Sequence, residues 1–228
     1  METGTRLHEG HALSAHVATI DAMIAARHLL AQPFYIELAA GRLPRPSLMR
    51  YAREYYRHVD VFPRYISAIH ANCEDIAIRQ ELLENLVEEE RGEEHHPELW
   101  LRFTDALGLA REDVIGAALC AETVTLVDGM LAIAREGSVA EGLASLYAYE
   151  AQIPEVAQCE LNALRTHYGV TDGDALKFFT VHMEADLVHR QVGRDILATL
   201  VTDANAPRVR TAVERTLAAL NGFVGAMV

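Results

Sequence analysis

Lysine is almost absent. Lys177 is the only one, and arginine supplies nearly all of the 20 basic residues that face 33 aspartates and glutamates. The formal net charge of -13, with histidine neutral, argues against a nucleic-acid binder or a binder of anionic membranes, since both draw their affinity from a basic patch. Cysteine is scarce as well. Cys73, Cys120 and Cys159 are widely separated, odd in number and form no CxxC pair, which reads as reduced cytosolic thiols and not as a disulfide framework or a zinc ribbon. No apolar run approaches the roughly eighteen residues of a membrane span. The opening stretch METGTRLHEGHALSAHVATIDAM has no signal-peptide core. Strand-like alternation, internal repeats and Gly/Ser-rich linkers are missing too. A cytoplasmic protein with one domain over residues 1–228, contacting no nucleic acid and no membrane, is the expectation.

What remains is helix signal. Half of the residues are hydrophobic, enough to bury a sizeable core. Helical patterns run over 11–31, 46–72, 79–107, 111–136, 139–168, 172–202 and 206–226, with PFYIELAAGRL at 33–43 as a short helix or turn. Pro44, Pro46 and Pro207 sit where a first turn tolerates proline. Gly108, Gly137 and Gly169 close helices, Asp172 or Asp174 caps the sixth, and Pro63 should kink or split the second. The fold class is all-α, a bundle of about seven helices.

Three stretches place ionisable groups on apolar faces. In VEEERGEEHHPELW, 87–100, a helix turning about 100° per residue carries Leu82, Leu86, Glu89, Glu93, His96, Trp100, Phe103 and Leu107 on one stripe. Glu88, Glu90, Glu94 and His95 fall on the solvated face. Periodicity does not choose between Glu89 and Glu93. A continuous helix would separate Glu89 from His96 by about 10 Å of rise, and would hold Pro97 in its interior at a cost of about 3 kcal/mol. That cost suggests a marginal helix that orders when metal binds. In FFTVHMEADLVHR, 178–190, His182, Asp186 and His189 at i, i+4 and i+7 share a face with Phe178, Gly193, Ile196 and Leu200. In LYAYEAQIPEV, 146–156, Glu150 lies on the stripe of Leu143, Tyr147, Ala157 and Leu161.

A single buried carboxylate is most often a core ion-pair partner. Three helices that each turn carboxylates or imidazoles inward are how bundles build dinuclear metal sites. The donor set, carboxylates and three histidines without thiolate, suits iron or manganese better than structural zinc or calcium. Glu93 or Asp128 would orient the imidazoles. Glu122 reads more readily as a surface acid. Tyr51, Tyr55 and His58 share one face of 51–60, where the tyrosines pack the core and His58 is a less favoured candidate for a substrate contact.

The stretches EEERGEEHHPELWLRFTDALGL, YAYEAQIPEV and HMEADLVHR together resemble the haem-oxygenase-like diiron oxidases, and within them the CADD-type branch, related to the PqqC and TenA folds. The resemblance spans roughly residues 30–195. It implies a seven-helix haem-oxygenase-like bundle without haem, with the metal ligands on Glu89, His96, Glu150, His182, Asp186 and His189. It implies two iron ions, or one iron and one manganese, with O2 and an external reductant as co-substrates. CADD-type proteins make p-aminobenzoate from part of their own polypeptide, a tyrosine giving the ring and a lysine implicated as amino donor. Tyr35 matches that tyrosine and Tyr149 a second tyrosine of the site. The lysine position holds Glu160, a departure from the pattern. The substrate is then an own side chain or an external small molecule: an amine, an amino acid or a fatty acid. A homodimer is among the expectations. The rival readings are a metal-free TenA- or PqqC-like enzyme, with Cys159 as nucleophile in the first, and a non-enzymatic interaction protein.

Overall fold

The computed structural model describes residues 15–228. The helices are α1 (Ala15–Ala26), α2 (Pro33–Ala39), α3 (Arg45–Asn72), α4 (Ile76–Glu90), α5 (His96–Ala106), α6 (Arg111–Ile115), α7 (Ala121–Glu136), α8 (Val139–Glu150), α9 (Ile153–His167), α10 (Lys177–Leu200) and α11 (Ala206–Gly225). A 3-10 turn at Leu29–Ala31 follows α1. The first four residues of the helix expected over 11–31 lie outside the described residues. Among the described residues no helix is long and apolar enough to cross a membrane.

The all-α expectation holds, but three of the seven helices expected from periodicity are each two. The 79–107 pattern breaks at Arg91–His95, where Gly92 takes φ +85°, a left-handed conformation that glycine adopts without a Cβ penalty. The 111–136 pattern breaks after Ile115. The 139–168 pattern breaks at Ala151–Gln152, ahead of Pro154 in the first turn of α9. At that last break Gln152, wholly buried, accepts from Leu29 N at 2.8 Å and donates to Ala148 O at 2.7 Å. Neither Asp172 nor Asp174 caps the sixth expected helix. Asp172 Oδ1 accepts from Asp174 N within a turn, and α10 starts at Lys177 without a side-chain cap. Pro63 does not split α3, which runs unbroken for 28 residues.

Local chemistry sets the other helix ends. Asp75 caps α4 by accepting from Ala77 N and Ile78 N, and Ser138 with Glu141 forms a capping box on α8. The buried Glu54 carboxylate of α3 accepts from Cys120 N and Thr123 Oγ1 at the start of α7, where partial positive charge favours an acid.

Helix α3 packs against α4, α5, α7 and α8. Helix α10 packs against α9, α8, α5 and α4, and α11 lies on α7 and α8. Trp100 of α5, fully buried, pins α5 to α3 by donating from Nε1 to Ala52 O at 2.7 Å. Around it pack Tyr51, Tyr55, Phe103, Phe178 and Phe179. This aromatic wall holds α3, α5 and α10 in register beside the inward carboxylates.

Candidate metal centre

The six inward residues meet as two groups of three. Glu89, His96 and His182 form one and Glu150, Asp186 and His189 the other, each with its ligand-capable atoms within 4.8 Å of one another. All are buried except His189, which is partly so. The break between α4 and α5 makes the first group. Glu89 is near the end of α4 and His96 is the first residue of α5, so the turn folds back what a continuous helix would separate. Glu89 Oε2 and His96 Nδ1 are 2.8 Å apart. His95, expected on the solvated face, is half-buried and caps α5 by accepting from Glu98 N at Nδ1. Pro97 lies in the first turn of α5, where its missing N–H costs nothing. The expected interior-proline penalty, and the marginal helix drawn from it, are thereby corrected.

That break also corrects two expected supporting acids. Glu93 lies in the turn and is exposed, so it neither competes with Glu89 nor orients an imidazole. Asp128 is exposed on α7, away from the site, and so is Glu122. The neighbours that do support the site are Asn85, Phe178 and Glu88. Asn85 Nδ2 donates to Glu150 Oε1 at 2.9 Å. His182 Nδ1 donates to Phe178 O at 2.7 Å. Since a carbonyl only accepts, this fixes the tautomer and leaves Nε2 as a lone-pair donor. His189 Nδ1 lies 3.2 Å from Asp186 Oδ1, and its Nε2 lies 3.1 Å from Glu88 Oε2. Asn85 carries a sequence signal: it is a polar residue one turn before Glu89 on the same helix. Glu88 carries none, being half exposed.

The electrostatics are those of a donor set short of positive charge. Burial pushes Glu150 up to about 7, with Asp186 adding to the rise. Burial also acts upward on Glu89, but His96, His182 and His189 outweigh it and hold this carboxyl below the usual range. His182 is lowered by burial and by the adjacent His96, whose ring centroid is 4.4 Å away. His96 and His189 resist burial because carboxylates surround them, and His189 is raised to about 9. Two buried atoms at the centre, His96 Nδ1 and Asp186 Oδ2, lack hydrogen-bond partners among the described residues. Unpaired buried polar atoms are costly, and both are lone-pair donors suited to a cation. Three acids, three imidazoles and these orphaned donors fit a metal pair of the iron type. A small cavity touches both groups, lined by Glu89 and His182 from one, Glu150 and Asp186 from the other, and Tyr149.

Tyr149 leads away from that cavity. Its hydroxyl is 2.5 Å from Tyr55 Oη, and Tyr55 stacks on Tyr51 with ring centroids 5.2 Å apart. Tyr51 Oη is 3.3 Å from Tyr35 Oη and donates to Glu160 Oε1 at 2.8 Å. Burial raises Tyr35, Tyr51 and Tyr149 well above 10, keeping the phenols protonated, and raises Glu160 to about 8. His58 is wholly buried among Tyr55, Phe62, Tyr65 and Tyr149 and lowered to about 3 by burial, a neutral ring packed in the aromatic core. Cys159 is pushed up to about 11 by burial and by Glu160, the opposite of an activated nucleophile.

Residues 49–221 match the family described as iron-containing redox enzyme. The chain is 33% identical over 216 residues to 4-aminobenzoate synthase of Chlamydia pneumoniae, covering 95% of this chain and 96% of that one. It is 38% identical over 215 residues to 4-aminobenzoate synthase of Nitrosomonas europaea, covering 90% and 87%. A TenA homologue of Pseudomonas syringae pv. tomato superposes with TM-score 0.81 at 18% identity over 100% of this chain and 98% of that one, so the haem-oxygenase-like architecture expected from the resemblance is the fold observed. The chain belongs to the family of iron-containing redox enzymes.

Proposed function

We propose that this iron-containing redox enzyme forms 4-aminobenzoate at a dinuclear centre held by Glu89, His96, Glu150, His182, Asp186 and His189, with its own Tyr35 giving the ring. The observation that carries the reading is the run of four tyrosines from the cavity to Tyr35, in which Tyr149 meets Tyr55 and Tyr51 meets Tyr35 through their hydroxyls and Tyr55 stacks on Tyr51. The names and extent of the two relatives support the product. The donor set supports two irons or an iron and a manganese. When bound, such a pair supplies O2 activation with electrons from an external reductant.

The chain's own residues do the rest. Phe178 O and Asn85 orient His182 and Glu150. Phe62, Phe178 and Val59 wall the small cavity against bulk water. The 3.3 Å contact between the Tyr35 and Tyr51 oxygens lets the Tyr35 proton pass to Tyr51 and on to Glu160, while the stack of Tyr51 on Tyr55 and the 2.5 Å contact of Tyr55 with Tyr149 let an electron leave toward the cavity. Glu160, buried and hydrogen-bonded to Tyr51, is placed to take or return a proton at that oxygen. The chain's one lysine does not provide the amino nitrogen in this reading, because Lys177 pairs with Glu94 at the surface.

Intact mass before and after Fe(II), reductant and O2 tests the reading. A loss mapping to Tyr35, with 4-aminobenzoate released, is the expected result. Unchanged mass with O2 uptake triggered by an added small molecule replaces self-processing with oxidation of an external substrate, a second reading favoured by the open groove that reaches Glu150 and His189.

A further inference from the structure

A groove opens between α4, α8 and α10. Its volume is about 100 Å3, a narrow slot that suits a slender occupant. Its two walls differ in kind. Leu143, Leu146, Val192 and Ile196 make an apolar wall from α8 and α10, continued at the surface by Val188, which is 62% exposed. The α4 wall carries Glu81, Glu84 and Glu88 along one side of the helix. Among the described residues no lysine or arginine lines the groove.

The deep end holds a second, independent signal. Asn85 is 92% buried, being 8% exposed, and its Nδ2 is committed to Glu150, which fixes the amide orientation. Its Oδ1 has no partner among the described residues. A buried amide oxygen left unpaired costs on the order of 1–3 kcal/mol, and a ligand N–H removes that cost. Beyond Asn85 lie Glu150 and His189. Glu88 already faces His189 Nε2 at 3.1 Å; Glu81 and Glu84, with the orphaned acceptor opposite an apolar wall, select a donor with a greasy body and disfavour an anion.

We propose that this groove binds a small organic cation, a primary ammonium on an apolar body. The ammonium lies along the α4 wall toward Asn85 Oδ1, and the body rests on Leu143, Leu146, Val192 and Ile196. The occupant is a co-substrate from outside the chain. That role rests on the reading of Glu150 and His189 as metal-holding residues, whereas the binding does not. A reaction that installs an amino group consumes a molecule of this class, and the chain's single lysine is engaged elsewhere.

Titration calorimetry on the iron-loaded protein with hexylammonium, hexanol and hexanoate tests it. Hexylammonium should bind about ten-fold tighter than hexanol, a modest margin set by partly exposed acids, and hexanoate should not bind. The E81Q/E84Q variant should remove that margin and leave hexanol unchanged. Val192→Phe should abolish both by filling the groove, with thermal melting confirming that each variant folds. Equal or tighter binding of hexanoate, no binding of hexylammonium, or hexylammonium binding untouched by both variants overturns the proposal. Iron content on the same samples separates the two readings. A protein without iron that keeps the hexylammonium pattern retains the groove and loses the metal centre; one with iron and no such pattern does the reverse.

Discussion

Glu89 Oε2 and His96 Nδ1 stand 2.8 Å apart across the break between α4 and α5, yet His96 Nδ1 has no hydrogen-bond partner among the described residues. The two are close enough for strong attraction and misaligned for N–H···O geometry. Both atoms converge with His182 on one small region. Two lone-pair donors that share a target behave this way, whereas a pair formed for its own sake would align.

Removing one donor should therefore cost metal and little else. About two iron equivalents per chain are expected, and His182→Ala should lose the one held with Glu89 and His96, read by elemental analysis. Equal iron in the variant and the parent would remove His182 from the centre. A chain that binds no iron at all would remove the centre itself.

Gly92 makes the convergence of Glu89 and His96 possible. Its φ is +85°, and a Cβ there would meet nothing within 4 Å, so Gly92→Ala acts through backbone strain alone, about 1–2 kcal/mol. For a chain of this size the melting midpoint should fall by roughly 2–8 °C, with weaker iron binding. Gly92→Asn should fall less, since asparagine tolerates this conformation better. Iron affinity unchanged in the alanine variant would show that the turn does not position the pair.

Glu160 should leave a signature in the pH dependence of stability. Burial raises it from 4.5 to about 8, so between those values the folded protein holds a proton that the unfolded chain releases. The contribution is whole below pH 4.5 and is lost as pH rises through 8, by on the order of a few kcal/mol. Glu160→Gln keeps an acceptor for Tyr51 and removes the titration. Its melting midpoint should vary less than the parent's between pH 4.5 and 8. Parallel profiles would place the Glu160 carboxyl in contact with water.

Tyr55→Phe tests the aromatic path without touching a candidate ligand. It deletes the hydroxyl that meets Tyr149 and keeps the ring that stacks on Tyr51. Iron content should stay at the parent level while the rate of mass loss at Tyr35 drops about a hundred-fold or more, the scale of losing one well-placed proton-transfer group. Unchanged loss at Tyr35 would rule out this route.

Sequence periodicity placed all six residues inward, and for five of them the reason holds: each lies on a helical stripe whose neighbours are apolar. It failed at Glu93, where the same period was carried across Gly92. A left-handed residue resets the phase of whatever follows, and His96 kept its inward place through the geometry of the turn and not through the stripe. Asp128 failed for another reason: the buried stripe of α7, with Thr123, Leu126, Val127 and Met130, turns it to the exposed face. Pro97 looked like an interior defect only while α4 and α5 were taken as one helix. The groove had no sequence signature, since its acids and its apolar wall come from three helices whose mutual placement no single-helix pattern contains.

Tyr35 is 3% exposed and packs edge-on against Phe34. A chain that surrendered this ring would keep a hole at the junction of α2 and α3, of the kind that costs large-to-small core variants about 3–5 kcal/mol. Against a total stability of about 5–15 kcal/mol, a spent molecule would stand much nearer to unfolding than a fresh one. Turnover would then mark each chain for disposal, and proteolytic susceptibility would serve as a clock that tells used protein from unused.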